Sequence, residues 1–501
     1  MADHLSMLPA LLSAIRRDLD GIVAPELASA EARTTAAMIS ELLAYLTVWQ
    51  RDMPGQVAPL TRSQADALAS LDALDLPRTA TLEDGELDSD IPGGLPDYDR
   101  LARALDRELA TLDTATLDAA AIPAIEKAVG ADLMLFDREA SLLGGEREQA
   151  SSRLASSDPR VSAERLTVFA REVFPADIGA EVSGVTRLSG FGLNDVFRLT
   201  LTSGIGRSRD LVLRRDPPIR LGTNGAAEEF RLLSLLSAAG FPVAEPLWLE
   251  ADSGVLGRPF MLSAAVEGTA DLDEWSGDEE ARAEVPLALA RMLGRLHGLD
   301  RRVLLSAGLR PDADPAEQLR AAIASWRDRW LEYRPHPSPT LQAAFQWLLG
   351  HVPPRRAPAA LIHGDLDQGN VLVRDGRIAA VLDWEFAHLG DPAEDLVACR
   401  SWIETLLPWG EFVAAYQSAG GRPPGEESLQ FCALWREVRS AVCCSLAWRA
   451  FLDGTSPVLR LAYQGIPLYR RHVREAAEQL RGLWAHGRPA TALDPVERTH
   501  S

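Results

Sequence analysis

The sequence predicts an α+β fold in which an all-α N-terminal domain precedes a two-lobed unit. Apolar residues recur at three- and four-residue spacing within the first 150 residues, as they do on the buried face of a helix. Short segments of alternating polarity follow at 181–263, and helical patterns dominate from 283 onward except for a strand-rich stretch at 360–383. A small sheet followed by a helical lobe accounts for this order.

Charge also divides the chain. Residues 1–150 contain 12 basic and 27 acidic residues and so carry −15 of the total charge of −21. We therefore expect a helical accessory domain at 1–150, and the order of strand and helix patterns divides the rest into a small lobe at 160–268 and a helical lobe at 269–486. We expect residues 487–501 to be a disordered tail.

The individual elements follow from their patterns. One apolar helical stripe of the first domain consists of Met38, Ile39, Leu42, Leu43, Leu46 and Trp49. Two further helices of this domain are expected near 98–113 and 117–142. The small lobe should contain strands at 182–188, 196–201, 211–213, 246–250 and 258–263, with helices near 162–174 and 225–238.

The composition excludes several classes of function. The net charge of −21 argues against a nucleic-acid or anionic-membrane binder, because phosphate groups would be repelled. The sequence contains no apolar run of about 18 residues, so we expect no membrane span. The N-terminus also lacks the basic segment of a signal peptide. Four cysteines do not make a disulfide scaffold, so we expect a cytoplasmic protein. The single lysine, Lys127, precedes Ala128, which rules out a P-loop nucleotidase.

The strongest chemical signal comprises three polar residues between 361 and 385. Asn370 follows Asp365 after five residues, and a strand, a tight turn and a second strand then lead to Asp383. Phosphoryl transfer needs such groups, because its loose transition state is stabilised mainly by positioning and charge neutralisation. Asp365 would take the proton of a substrate hydroxyl, and Asn370 and Asp383 would bind Mg²⁺. Each residue alone suits a turn, but the ordered set favours catalysis.

Three motifs closely resemble those of the aminoglycoside phosphotransferase family: His363-Gly364-Asp365-x4-Asn370, Asp383-Trp384-Glu385 and Gly390-Asp391-Pro392. The residues of these motifs are most similar to those of the family branch that is associated with acyl-CoA dehydrogenases. The resemblance covers residues 160–485 and implies a bilobal protein-kinase-like fold, with an antiparallel sheet in the N-lobe and a helical C-lobe. It also implies a phosphotransferase that uses ATP or GTP, with Mg²⁺, to phosphorylate an alcohol group.

The resemblance assigns nucleotide-binding roles to segments of the small lobe. A glycine-rich loop would cover the phosphates through Ser189, Gly190, Gly192 and Asn194, with a plain hairpin turn as the alternative. Arg214 stands where the family has a phosphate-pairing lysine, and its guanidinium also suits phosphate oxygens. Its ion-pair partner would be Glu229, with Glu228 as the competing choice. Backbone groups near Ala264 and Val266, in a segment that resembles the hinge between the lobes, would bind the base of the nucleotide.

Two functions are compatible with these features. The first is a kinase that transfers the γ-phosphoryl group to the hydroxyl of a small molecule. The second is a non-catalytic, pseudokinase-like nucleotide-binding scaffold, which the missing lysine and the acidic N-terminal domain favour. The complete set of Asp365, Asn370 and Asp383 favours the enzyme. Residues 1–150 are expected either to cover the acceptor pocket or to form a homodimer through their helices.

Overall fold

The structure is a computed structural model. It describes residues 15–16, 19–20, 30–51, 53–72, 96–111, 121–143, 153–154 and 160–487, with gaps at 176, 178, 189–194, 218–219, 221, 273–274, 276–278, 307, 311–313, 335–336, 354–358 and 454–458. The tail predicted at 487–501 lies outside these residues, apart from Gly487 at the end of a helix. Within the described ranges, no helix combines the length and apolar character needed to span a membrane.

The small lobe is a six-stranded antiparallel sheet with the order β1-β2-β3-β4-β6-β5. Its strands are β1 (Arg153–Leu154), β2 (Glu181–Leu188), β3 (Asp195–Thr202), β4 (Ser208–Arg215), β5 (Pro246–Glu250) and β6 (Phe260–Ala264). Its helices are α5 (Ala163–Val173), α6 (Ala226–Ala238) and the single turn α7 (Ser253–Leu256). This arrangement confirms the predicted antiparallel N-lobe.

The two faces of this sheet have different tasks. Every second residue of β3 is buried, as its alternating sequence requires. Phe197 and Leu213 belong to the apolar core beneath α5. Val196 pairs with Arg214 and Arg198 pairs with Val212, so these four side chains share the opposite face. That face is turned toward the helical lobe, because Arg214 contacts Glu385 of that lobe.

The large lobe is mainly helical. Its helices are α8 (Glu279–His297), α9 (Arg301–Ser306), α10 (Pro315–Tyr333), α11 (Pro339–Gly350), α12 (Pro392–Ile403), α13 (Trp409–Ser418), α14 (Glu426–Leu452), α15 (Leu459–Tyr463) and α16 (Tyr469–Gly487). Two short antiparallel pairs join β7 (Ala360–Ile362) to β10 (His388–Gly390) and β8 (Val371–Arg374) to β9 (Arg377–Val381). Single 3-10 turns at Gln368–Asn370 and Trp384–Phe386 interrupt this strand-rich stretch. The bilobal fold is therefore the one the sequence predicted.

The N-terminal helices are α1 (Ala30–Arg51), α2 (Met53–Asp72), α3 (Pro96–Thr111) and α4 (Ile122–Leu143). Buried apolar residues from each of these four helices belong to the same core cluster as those of α10, α11, α14 and α16. Two buried carboxylates reinforce this junction. Asp106 pairs with Arg334, and Asp132 accepts a 2.6 Å hydrogen bond from the hydroxyl of Thr340. The helices thus pack on the large lobe, and a homodimer formed through them stays a prediction.

Candidate active site

The loop that carries Asp365 is fixed by Asp395 of α12. The Asp395 carboxylate accepts hydrogen bonds of 2.8 Å from the backbone amides of His363 and Gly364. His297 Nε2 lies 3.1 Å from the same carboxylate. Burial favours a higher pKa for Asp395, but the hydrogen bond from His297 and the electrostatic interaction with that ring hold the pKa of Asp395 below its usual value. Asp395 therefore anchors the loop as an ionised group.

A glycine is required at position 364. Gly364 has a φ of 81°, in the left-handed region. A Cβ atom there would lie 2.5 Å from the carbonyl oxygen of Phe386. The loop and the Trp384–Phe386 turn can therefore approach this closely only because residue 364 has no side chain.

Asp365 and Asn370 are held together in this loop. Asn370 Nδ2 donates a 2.8 Å hydrogen bond to the backbone oxygen of Asp365 and lies 3.5 Å from its carboxylate. The side-chain nitrogen of Asn370 thus donates to the loop, and the side-chain oxygen of Asn370 is left for a ligand. Burial raises the pKa of Asp365, although Arg439 and His363 oppose this effect.

His363 supports the loop as a neutral ring. Its Nε2 lies 2.8 Å from the carbonyl oxygen of Leu382, and its Nδ1 lies 3.2 Å from the amide nitrogen of Asp365. Only the tautomer with the proton on Nε2 satisfies both contacts. Burial lowers the pKa of His363, which favours this neutral form. Both nitrogens are therefore occupied, and His363 is not placed to transfer the proton of a substrate.

Asp383 lies two residues after the end of β9, in a strained conformation. Its φ of 63° and ψ of 60° are left-handed, which few residues other than glycine adopt. Its side chain makes no capping hydrogen bond to the following turn. Burial raises the pKa of Asp383 well above its usual value, and the nearby Glu385 and Glu229 add to this effect. A carboxylate held in this way is suited to a cationic ligand.

Arg214 faces two carboxylates from different lobes. Its Nη1 lies 2.7 Å from Glu229 Oε2 on α6, and its Nη2 lies 3.1 Å from Glu385 Oε2. All three side chains are at least nine-tenths buried. Glu228 is directed elsewhere and pairs with Arg231 on the same helix. The structure therefore places Glu229 beside Arg214, and Glu228 away from it.

The cluster around Arg214 has surplus negative charge and unused polar atoms. Glu229, Glu385 and Asp383 all interact electrostatically with this single guanidinium. Burial raises the pKa of Glu229 to about 7 despite the neighbouring Arg214. The Arg214–Glu229 contact is short but not aligned for a hydrogen bond, so Arg214 Nε and Nη1 are buried without an acceptor. Phosphate oxygens and a divalent cation would satisfy both the donors and the carboxylates.

Glu385 is the member of this cluster that sequence reasoning missed. The residue was recognised only as part of the Asp383-Trp384-Glu385 motif, and no role was assigned to it. Its position two residues after Asp383, in a turn that is otherwise apolar, is the signal that could have found it. Its partner Arg214 could not be inferred, because the two residues lie in different lobes.

The predicted hinge offers fewer groups than expected. The Ala264 amide already donates a 2.9 Å hydrogen bond to the Glu245 carbonyl, so it cannot donate to a base. The Val266 amide has no acceptor among the described residues. Of the two residues, Val266 therefore keeps its donor available. The phosphate-loop residues Ser189, Gly190, Gly192 and Asn194 lie outside the described residues.

Asp195, where the predicted phosphate loop ends, holds three arginines. Its carboxylate oxygens lie 2.7 Å from Arg187, 2.7 Å from Arg215 and 2.5 Å from Arg258. Arg215 thus points away from Arg214, as expected for neighbours in a strand. This cluster links β2, β3 and β4 to the segment before β6, next to the end of the predicted phosphate loop.

Comparison with known proteins shows which protein family this chain resembles. Residues 184–432 match the model of the phosphotransferase enzyme family. Acyl-CoA dehydrogenase family member 11 of Gallus gallus is 32% identical over 243 residues, which are 46% of this chain and 30% of that protein. Member 10 of Mus musculus is 32% identical over 194 residues, 38% of this chain and 18% of that protein. These similarities confirm the predicted resemblance to this branch, although the chain spans only about a fifth to a third of these relatives.

Two further proteins are similar. A homoserine kinase of Beijerinckia indica is 30% identical over 149 residues, 29% of this chain and 42% of that protein. A crystal structure from Ralstonia eutropha, described as a candidate aminoglycoside phosphotransferase, shares the fold with a TM-score of 0.50 and 22% identity, covering 64% of this chain and 98% of the other. Residues 184–432, just under half of the chain, are thus similar to the phosphotransferase enzyme family.

Proposed function

We propose that the protein is a kinase that transfers the γ-phosphoryl group of ATP or GTP to the hydroxyl of a small molecule, with Mg²⁺. One observation carries the proposal. Asp383 interacts electrostatically with Asp365, which Asn370 contacts, and with Arg214, which keeps two buried N–H groups without acceptors. The match of residues 184–432 to the phosphotransferase family model supports the reaction class, and the homoserine kinase similarity supports a small hydroxylated acceptor.

Arg214, Asn370 and Asp383 would hold the phosphates and the metal. The unused Nε and Nη1 of Arg214 would donate to phosphate oxygens, while Glu229 and Glu385 keep the guanidinium in place. Asp383 and the side-chain oxygen of Asn370 would bind Mg²⁺, which would supply positive charge to neutralise the charge that develops on the transferred phosphoryl group. In the described part of the chain, no three acidic, histidine or cysteine side chains could hold a metal together, so phosphate oxygens and water would complete the coordination.

Asp365 would act on the acceptor. Its carboxylate would accept a hydrogen bond from the substrate hydroxyl and take its proton as the phosphoryl group is transferred. The burial that raises the pKa of Asp365 makes it a stronger base than an exposed aspartate. His363, neutral and doubly hydrogen-bonded, would keep the backbone of Asp365 in position.

Replacing Asp365 by Asn tests the proposal. The matched control is Asp375→Asn in the β8–β9 hairpin, where the side chain is 90% exposed. With Mg²⁺ and ATP or GTP, we would measure nucleoside diphosphate release with and without a panel of hydroxylated metabolites. Wild type and Asp375→Asn should turn over at the same rate. Asp365→Asn should lose about 100-fold or more while still binding nucleotide.

The scaffold reading predicts a different outcome. Binding of nucleotide by the wild type, with no turnover for any acceptor or for water, would favour a non-catalytic module. Full activity of Asp365→Asn would show that another group takes the proton and would overturn the assignment of the base.

A further inference from the structure

A loop of the small lobe is fastened to the backbone of the turn that follows Asp383. The backbone amides of Thr223 and Asn224 donate hydrogen bonds of 3.1 and 2.9 Å to the carbonyl oxygen of Glu385. Gly222 lies so close that a Cβ atom there would be 2.7 Å from the same oxygen and 2.9 Å from the Glu385 Cβ. The loop therefore rests directly on the turn, with no space for a side chain at position 222.

The side chain of Asn224 completes this contact. Its Nδ2 donates to the carbonyl oxygen of Trp384 at 3.2 Å and to that of Ala387 at 2.8 Å. Both protons of the amide are thus used, on carbonyl groups at the two ends of the Trp384–Phe386 turn. An aspartate has the same shape but would direct an oxygen at those two carbonyls.

The contact joins two parts of the proposed phosphate site. Asn224 is two residues before α6, whose residue Glu229 faces Arg214. The turn that it holds begins at the left-handed Asp383 and contains Glu385, the second partner of Arg214. Displacing the loop would therefore move α6 away from the turn and change the relative positions of these three carboxylates.

We propose that Asn224 is a positioning residue, which fixes the turn after Asp383 and thereby sets the Asp383 carboxylate for the metal–phosphate site. The inference rests on the proposed function. The Asp383 backbone is strained and its side chain makes no capping hydrogen bond, so its conformation needs support from outside the turn. Asn224 supplies that support across the lobes, and such outer contacts commonly change metal affinity by about 10- to 100-fold.

Metal binding gives a readout that does not depend on turnover. Mn²⁺ takes the same hard oxygen ligands as Mg²⁺ and can be followed by its paramagnetic resonance signal. We would titrate Mn²⁺ into the full chain with saturating ADP, and measure ADP binding separately with EDTA. The variants are Asn224→Asp and Gly222→Ala. Ser234→Asp adds the same charge as Asn224→Asp on an exposed position of α6 and serves as the control.

The expected result is a rise of about tenfold or more in half-saturating Mn²⁺ for Asn224→Asp. Gly222→Ala should raise it as well, because its methyl group pushes the loop off Glu385. ADP affinity in EDTA should change by less than about threefold, since neither variant removes a group proposed to contact the phosphates, and Ser234→Asp should match wild type. This pattern separates positioning of the metal ligand from general loosening of the lobes.

Three results would overturn the inference. If the Asn224→Asp and Gly222→Ala variants bound Mn²⁺ as the wild type does, the turn would need no support from the loop. Equal losses of ADP affinity with and without metal would show a role in lobe closure alone. If the wild type bound no Mn²⁺ with ADP, the proposed function itself would fail, and the inference with it.

Discussion

Arg214 and Glu385 are 171 residues apart in the chain, yet Arg214 Nη2 lies 3.1 Å from Glu385 Oε2. The pair connects strand β4 of the small lobe to the turn after Asp383 in the large lobe. Glu229 approaches the same guanidinium from α6. Arg214 thus has one partner more than the sequence indicated.

Removing the Arg214 charge should destabilise the protein. Arg214→Met leaves Glu229 and Glu385 buried without a counter-charge, and we expect a loss of about 3–5 kcal/mol in the free energy of unfolding. Arg214→Lys keeps the charge but not the planar fork, so it should fold and retain only part of the activity. Chemical denaturation and steady-state kinetics would measure both effects. A stable Arg214→Met protein would show that the carboxylates do not depend on this arginine.

Stability should depend on pH through Glu229. Its pKa is raised from 4.5 to about 7 in the folded state, so the folded protein binds protons more strongly than the unfolded chain. The free energy of unfolding should therefore decrease as pH rises through this interval, by at most about 3 kcal/mol. Denaturation from about pH 5 to about pH 8 should show a shallower decrease for Glu229→Gln. Identical slopes for both proteins would rule out Glu229 as the titrating group.

The elements of the small lobe were predictable because they depend on local patterns. The strand predicted at 182–188 is observed at Glu181–Leu188, and the helix predicted at 225–238 at Ala226–Ala238. Motif spacing also selected Asp365 and Asn370, which the structure brings into contact, and Asp383; their catalytic and metal-binding roles stay predictions. Contacts between distant segments left no such signal. The approach of Glu385 to Arg214 and the hydrogen bond from Ala264 to Glu245 follow only from the packing of the lobes and strands.

The catalytic loop should depend on Asp395. In Asp395→Asn, one of the two oxygens that accept the amides of His363 and Gly364 becomes an NH₂ group that cannot accept. We expect a loss of about 2–4 kcal/mol in stability and a large fall in kcat, since Asp365 follows directly. Urea denaturation and turnover assays would test this. A variant with normal stability and activity would show that the loop is fixed by other contacts.

The N-terminal helices should be an integral part of the folded protein. Asp106 is 1% exposed and pairs with Arg334, so Asp106→Ala should lower the free energy of unfolding by about 3–5 kcal/mol. The control is Asp137→Ala, which removes an exposed 3.1 Å pair with Arg474 and should change stability by less than about 1 kcal/mol. Equal effects in denaturation experiments would contradict a tight junction. The sequence did not predict this shared core, because its apolar stripes indicate burial but not the partner.

The central claim is that Asp383 holds a metal–nucleotide complex beside Arg214. Asp383 and Asp375 are the two described residues other than glycine with positive φ, which makes Asp375→Asn a matched control for Asp383→Asn. The most direct test is the unfolding temperature of the wild type and both variants with ATP or GTP, with and without Mg²⁺. Nucleotide at about 100 times its Kd should add about 2.7 kcal/mol of stability.

The account predicts Mg²⁺-dependent stabilisation by at least one nucleotide in wild type and Asp375→Asn, and its loss in Asp383→Asn. Stabilisation of Asp383→Asn equal to that of wild type, or no Mg²⁺-dependent stabilisation of the wild type by either nucleotide, would contradict it.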